Sequence, residues 1–107
     1  MSQTLLSVQA LISAGDFLVS THADHELQND AISLREMIDG VQSAIVVEDY
    51  PTFAKGPCVL VLQHDAASQP VHLLWGLRSG TARPAVLITA YRPDSTRWTD
   101  SFLRRRS

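Results

Sequence analysis

The stretch Ser20-Thr21-His22-Ala23-Asp24-His25-Glu26 holds two of the four histidines of the chain, with two carboxylates beside them. Two chemistries suit such a cluster. Histidine titrates near pH 6.5, so a positioned imidazole serves as a general acid or base at neutral pH. Histidines at i and i+3 share a helix face, and with a carboxylate oxygen they can also ligate a metal. The metal reading is the weaker, because a zinc site wants at least three protein ligands and the chain has no His-x-x-x-His or Cys-x-x-Cys pattern. No metal and no other cofactor is assigned. Helix-start electrostatics also account for part of the cluster: Ser20 or Thr21 can cap a helix, and Asp24 and Glu26 suit its positive end.

A second group of polar residues emerges from alternation. Val71, Leu73, Trp75 and Leu77 fall on one face of an extended segment, which should be the core side, so His72 points the other way. In the segment 85–91, Val86, Ile88 and Ala90 form one set and Leu87, Thr89 and Tyr91 the other. If the first set faces the core, His72, Thr89 and Tyr91 line one open face together. Leu87 is then an apolar member of a polar set. His25 reads as a solvated helix residue and His64 as a solvated residue beside a turn.

The elements that must position these residues follow from periodicity. Leu5, Leu6, Val8, Leu11 and Ile12 recur at helical spacing before Gly15, predicting a helix over 3–14. A short extended piece spans 17–19. A second helix starts at Ser20 or Thr21 and ends near Asp30. Ser33-Leu34-Arg35-Glu36 is a capping box that opens a third helix, closed by Gly40. From Ser43 the period becomes strand-like, with strands over 44–50, 58–64, 71–77 and 85–91 joined by short links that make neighbours antiparallel. The segment from Asp94 to Phe102 reads as a helix or a docked turn, with Trp98 anchoring it to the sheet, and Arg104-Arg105-Arg106 as a frayed basic tail. The expectation is a single α+β domain over residues 1–107, N-terminal helices followed by a four-stranded antiparallel meander sheet.

Bulk properties bound the function. At 107 residues, 45% hydrophobic and 19% charged, the chain suits one globular core. Its apolar runs fall far short of the roughly 20 residues that span a membrane, and no secretory signal opens it, so no membrane contact and a cytoplasmic location are expected. The single cysteine, Cys58, sits in an apolar run and reads as core. Residues 1–53 carry eight acids against Arg35, a net charge of −7, whereas residues 54–107 carry eight bases against three acids, a net charge of +5. Such asymmetry suits polyanion contact or complementary self-association.

Four short motifs occur in order: Phe17-Leu18-Val19-Ser20-Thr21-His22-Ala23, Val46-Val47-Glu48-Asp49-Tyr50-Pro51, Val71-His72-Leu73-Leu74, and Ile88-Thr89-Ala90-Tyr91-Arg92-Pro93 with Trp98 beyond. Together they resemble the bacterial family called domain of unknown function 4258, which is similar to the small toxin ribonucleases of the barnase, RelE and colicin type. That resemblance implies a toxin-like fold and a metal-independent RNA endonuclease encoded beside an antitoxin, with RNA as substrate and the antitoxin as partner. The chain departs from the pattern where the family carries two basic residues after the His-Ala pair: Glu26 and Asp30 stand there, reversing the charge that would attract a phosphate.

RNA cleavage without a metal needs a base for the 2′-hydroxyl, an acid for the leaving 5′-oxygen and a cradle for the charged phosphorane. His22 and His72 are the candidate acid and base. Thr89 and Tyr91 are candidates to donate to the phosphate or to position the base. Arg78, Arg92 and Arg97 are candidates to bind substrate charge, and Tyr50 and Trp98 suit stacking on bases. The alternative function is a non-catalytic module that keeps the fold and binds a protein partner or a second copy of itself as a homo-oligomer.

Overall fold

A computed structural model describes residues 2–106 of the chain. Helix α1 (Gln3–Ser13) begins where the Ser2 hydroxyl accepts the Leu5 N–H at 3.0 Å, and it buries Leu5, Val8 and Ile12 along one stripe. Gly15, at φ +74°, turns the chain into strand β1 (Phe17–Val19). Ser20 caps α2 (Thr21–Asn29) by accepting the Ala23 N–H, and Ser33 caps α3 (Leu34–Asp39) by accepting the Glu36 N–H. Only half of the expected capping box forms. The Glu36 carboxylate reaches instead to the Ala66 N–H at 2.7 Å, pinning the turn that follows β3.

Strands β2 (Ile45–Tyr50), β3 (Cys58–His64), β4 (Pro70–Leu77) and β5 (Ala85–Tyr91) form consecutive antiparallel pairs. The sheet is nevertheless not a four-stranded meander. β1 pairs in parallel with β5, giving a five-stranded mixed sheet of order β1-β5-β4-β3-β2. Three residues are too few to show alternation, and parallel pairing requires a long crossover, here every residue between Val19 and Ala85. Where β1 stops, α2 takes its place beside β5: the Ser20 N–H donates to Leu87 O and the Ser20 hydroxyl to Ile88 O, both at 3.0 Å.

The helices cover one face of the sheet. Val59, Val61, Val71, Leu73, Trp75 and Leu77 point into that core, as alternation anticipates for β4. β5 departs from simple alternation. Thr89 lies opposite Leu74 but Leu87 lies opposite Trp75, so Ile88 is an extra residue in a β-bulge. Ala85, Leu87 and Ala90 therefore face the core, while Val86, Thr89 and Tyr91 face away. The expected inward set of Val86, Ile88 and Ala90 is thus wrong for two of its members, because one bulge shifts the phase by one residue. A second bulge in β2, at Val47, places Val46 against the core and Glu48 on the opposite face.

The C-terminal segment is neither a helix nor a frayed tail. β6 (Trp98–Thr99) and β7 (Arg104–Arg105) form a small antiparallel hairpin through a turn in which Asp100, Ser101 and Phe102 take φ values of 57°, 58° and 72°. Trp98 is buried against the sheet, so its expected role as an anchor matches its position. Among the described residues no helix is long and apolar enough to cross a membrane.

Candidate functional site

Residues paired across neighbouring strands face the same side of a sheet. On the side away from the helices the register builds three rows: Ile45, Leu62, His72 and Tyr91; then Glu48, Leu60, Leu74 and Thr89; then Tyr50, Cys58, Gly76 and Val86. The first two rows bring the polar groups together, and the third is apolar.

An open cavity of about 210 Å³ sits over the second row, lined by Glu48, Tyr50, Leu60, Leu74, Thr89, Tyr91 and Arg105. Arg105 reaches it from β7 and grips Glu48 with two hydrogen bonds, Nε to Oε2 at 2.7 Å and a terminal nitrogen to Oε1 at 3.0 Å. The guanidinium also stacks 4.8 Å from the Trp98 ring centroid. Tyr50 donates its hydroxyl to Glu48 Oε1 at 2.5 Å. The Arg105 hydrogen bonds, helped by that of Tyr50, hold the Glu48 carboxyl below the usual carboxylate range despite partial burial. The bond to Glu48 pushes the Tyr50 phenol up in turn. The cavity thus presents an ionised carboxylate, a guanidinium, two phenols and a hydroxyl.

His72, in the adjoining row, is fully buried and is not the open-face residue that alternation suggests. The C-terminal hairpin covers it: Trp98 packs edge-on at a centroid distance of 4.4 Å, and Nε2 lies 2.8 Å from Phe102 O. A carbonyl only accepts, which assigns the proton to Nε2. Nδ1 then accepts the Tyr91 hydroxyl at 3.1 Å. Burial pushes the His72 pKa down, favouring this neutral form, and burial pushes the Tyr91 phenol up. With both ring nitrogens engaged, His72 aims Tyr91 at the cavity and does not itself reach a substrate.

His22 lies in the exposed first turn of α2, with Nε2 2.9 Å from Glu26 Oε1. Thr89 donates its hydroxyl to the same Glu26 oxygen. His22 and His72 are therefore not in contact. A relay of His22, Glu26 and Thr89 joins the helix to one wall of the cavity, and Tyr91 and His72 stand at the next row. Glu26, one of the two charge-reversed positions, is thus inside the constellation.

The three candidate arginines separate. Arg92 is a structural tie: it pairs with Asp65 at 2.9 Å and donates to the carbonyls of Asp30 and Ala31, both at 3.2 Å, stitching the end of β5 to the loop after α2. Its other terminal nitrogen, Nη1, is buried without a hydrogen-bond partner. Arg97 borders a neighbouring cleft of about 350 Å³ shared with Tyr91, Arg92, Asp94, Trp98 and Arg105. Arg78 lies at the rim of an apolar groove beyond the third row. Among the described residues no three His, Cys, Asp or Glu side chains converge as a metal site would require.

The family model described as Domain of unknown function (DUF4258) matches residues 19–92, more than half of the chain. The chain belongs to this family. No curated protein and no solved structure matches it. The DUF4258 match spans His22, Glu26, Glu48, His72, Thr89 and Tyr91, but it stops before Trp98 and Arg105. This DUF4258 domain completes its cavity with a segment beyond the matched region. Glu48 and Arg105 are the residues that sequence reasoning missed. Glu48 had a signal, an acid directly after the apolar run 44–47 of a strand, whereas nothing in the sequence distinguishes Arg105 from its arginine neighbours.

Proposed function

We propose that this DUF4258 domain is a metal-independent RNA endonuclease of the toxin type that works at the cavity of Glu48, Thr89, Tyr91 and Arg105. One observation carries the reading: a carboxylate, a guanidinium and two phenols converge on an open sheet face, beside a relay that ends in an exposed histidine. The order of helices before antiparallel strands is also in keeping with the RelE, barnase and colicin-like ribonucleases.

The chemistry proceeds from the pairing of Glu48 with Arg105. An incoming RNA phosphate competes for the guanidinium, and a carboxylate relieved of that partner becomes a stronger base. Glu48 then takes the proton of the 2′-hydroxyl, whose oxygen attacks phosphorus as the bond to the 5′-oxygen breaks. His22 gives its proton to that leaving oxygen, with Glu26 orienting the ring. Arg105 stabilises the phosphorane, joined by Tyr91 and Thr89 once their single hydroxyl protons turn from His72 and Glu26 to the phosphate; until then His72 fixes the aim of Tyr91. The products are a 2′,3′-cyclic phosphate and a free 5′-hydroxyl.

The test is cleavage of an end-labelled single-stranded RNA by purified protein in excess chelator. Wild type should cut RNA but not its 2′-O-methyl counterpart. Intact RNA after prolonged incubation at high enzyme concentration would sink the reading. One observation favours a second reading, a non-catalytic module for protein binding or self-association: Glu26 places a carboxylate where phosphate attraction needs a base. Uncut RNA together with a salt-sensitive homo-oligomer in light scattering is the outcome that reading expects.

A further inference from the structure

We infer that the apolar groove adjoining the cavity is a nucleobase subsite, which holds an unpaired base of a single-stranded RNA while its phosphate sits at Arg105. This inference rests on the proposed ribonuclease reading and names where the substrate's base goes. The groove, of about 570 Å³, shares Tyr50 and Leu74 with the polar cavity, so the two form one continuous surface. An apolar floor merging into a guanidinium site matches a nucleotide, which is flat and apolar at one end and anionic at the other.

The lining is built for stacking. Phe53 and Tyr50 are 54% and 41% exposed, an unusual display for aromatics unless something covers them. Gly76 lies at the centre of the floor. A Cβ there would come within 2.7 Å of Ile88 Cδ1, so the missing side chain lets the bulged Ile88 lie down and keeps the groove open. Lys55 and Arg78 stand at the far rim, and neither has a carboxylate partner among the described residues. Arg78 follows Leu74 by four residues, roughly 13 Å of extended strand. Cations therefore flank the apolar floor at both ends, the order of phosphate, base and phosphate along a single strand. The lining offers few hydrogen-bonding groups, so recognition is by stacking and tolerates different bases. A duplex, whose bases are already stacked and paired, is excluded.

The experiment is fluorescence anisotropy with an uncleavable 2′-O-methyl single strand, the same strand carrying abasic positions, and the matching duplex, all at one salt concentration. Phe53→Ala removes only an exposed side chain. Gly76→Val fills the floor while leaving Glu48 and Arg105 in place. Each should weaken single-strand binding about tenfold, and the abasic strand should bind wild type as weakly as the intact strand binds Phe53→Ala. The loss of cleavage in Phe53→Ala should lie in KM, which should rise about tenfold, separating base binding from chemistry. Unchanged affinity in both variants, with wild type binding and cutting RNA, would overturn the subsite and leave the ribonuclease reading standing. Wild type that binds no RNA would overturn both. An oligomer in light scattering that Phe53→Ala dissociates would also overturn the subsite, showing the groove to be an interface between copies.

Discussion

The two faces of the sheet are made from the same strands and behave as different materials. On the helix side Val61, Leu73, Trp75 and Leu87 are wholly buried among other aliphatic side chains. On the opposite side polar groups occupy two rows, an apolar groove occupies the third, and the only cover the described residues supply is a short hairpin held by Trp98, Phe102 and Arg105. Two bulges make this division workable. Without the one at Ile88, a strand that turns Thr89 and Tyr91 outward would also turn Leu87 outward; without the one at Val47, turning Glu48 and Tyr50 outward would expose Val46. Each bulge lets one strand serve a dry face along its whole length and a chemical face along half of it.

The most severe way to break the comparison is to put a charge on each side of the β5 bulge. Leu87→Asp buries an unpaired carboxylate in the core and should cost at least about 4 kcal/mol, enough to leave the chain largely unfolded in urea titrations. Ile88→Asp, one residue away, should cost no more than about 1 kcal/mol. Equal losses would mean that the bulge is absent.

The next largest effect separates chemistry from folding. Glu48→Gln keeps the shape of the cavity and removes the base, so the cleavage rate should fall about 10²- to 10⁴-fold with the unfolding midpoint little changed. A variant that cuts at the wild-type rate would remove Glu48 from the mechanism. His72→Phe should do the reverse in part. It fills the space but strands the Tyr91 hydroxyl and the Phe102 carbonyl, costing about 2 kcal/mol in urea unfolding. Its cleavage rate should fall through misplacement of Tyr91.

The smallest effect is on pH. The folded-state pKa of His72 is lowered by burial, so the unfolded chain binds the proton more readily. Stability from this group is complete above the unfolded value of about 6.5 and declines as the pH falls toward the folded one, by at most about 1.4 kcal/mol per pH unit. Glu48, also lowered, loses its contribution at more acidic pH, from the ordinary carboxylate value downward. Unfolding measured between pH 7.5 and 5.5 lies above the Glu48 window, and the slope should be shallower in His72→Phe, the difference between the two proteins being the share of His72. An identical slope in both proteins would assign the pH dependence elsewhere.

Much of this arrangement was legible in local pattern. The stripe of Leu5, Val8 and Ile12, the serine caps of α2 and α3, the extents of β3 and β5, and the inward face of β4 each depend on residues a few positions apart, and they hold in the structure. The structure joins His22 to Thr89 through Glu26 and seals His72 beneath the hairpin, so His22 and His72 do not pair directly. The tie of Arg92 to Asp65 was not legible, since Asp65 lies in a distant turn.

By itself the sequence determined the places of α1 to α3 and of β1 to β5, which side of β4 faces the helices, and membership of the DUF4258 family, because periodicity, capping and short motifs are local properties. Only the tertiary structure decided the phase of β2 and β5, the parallel docking of β1, and the return of the C-terminal hairpin onto Glu48 and His72. Arg105 and Glu48 stand 57 residues apart. No local pattern marks such a pair, and it forms because the register of four strands brings a carboxylate to the face on which the tail happens to fold.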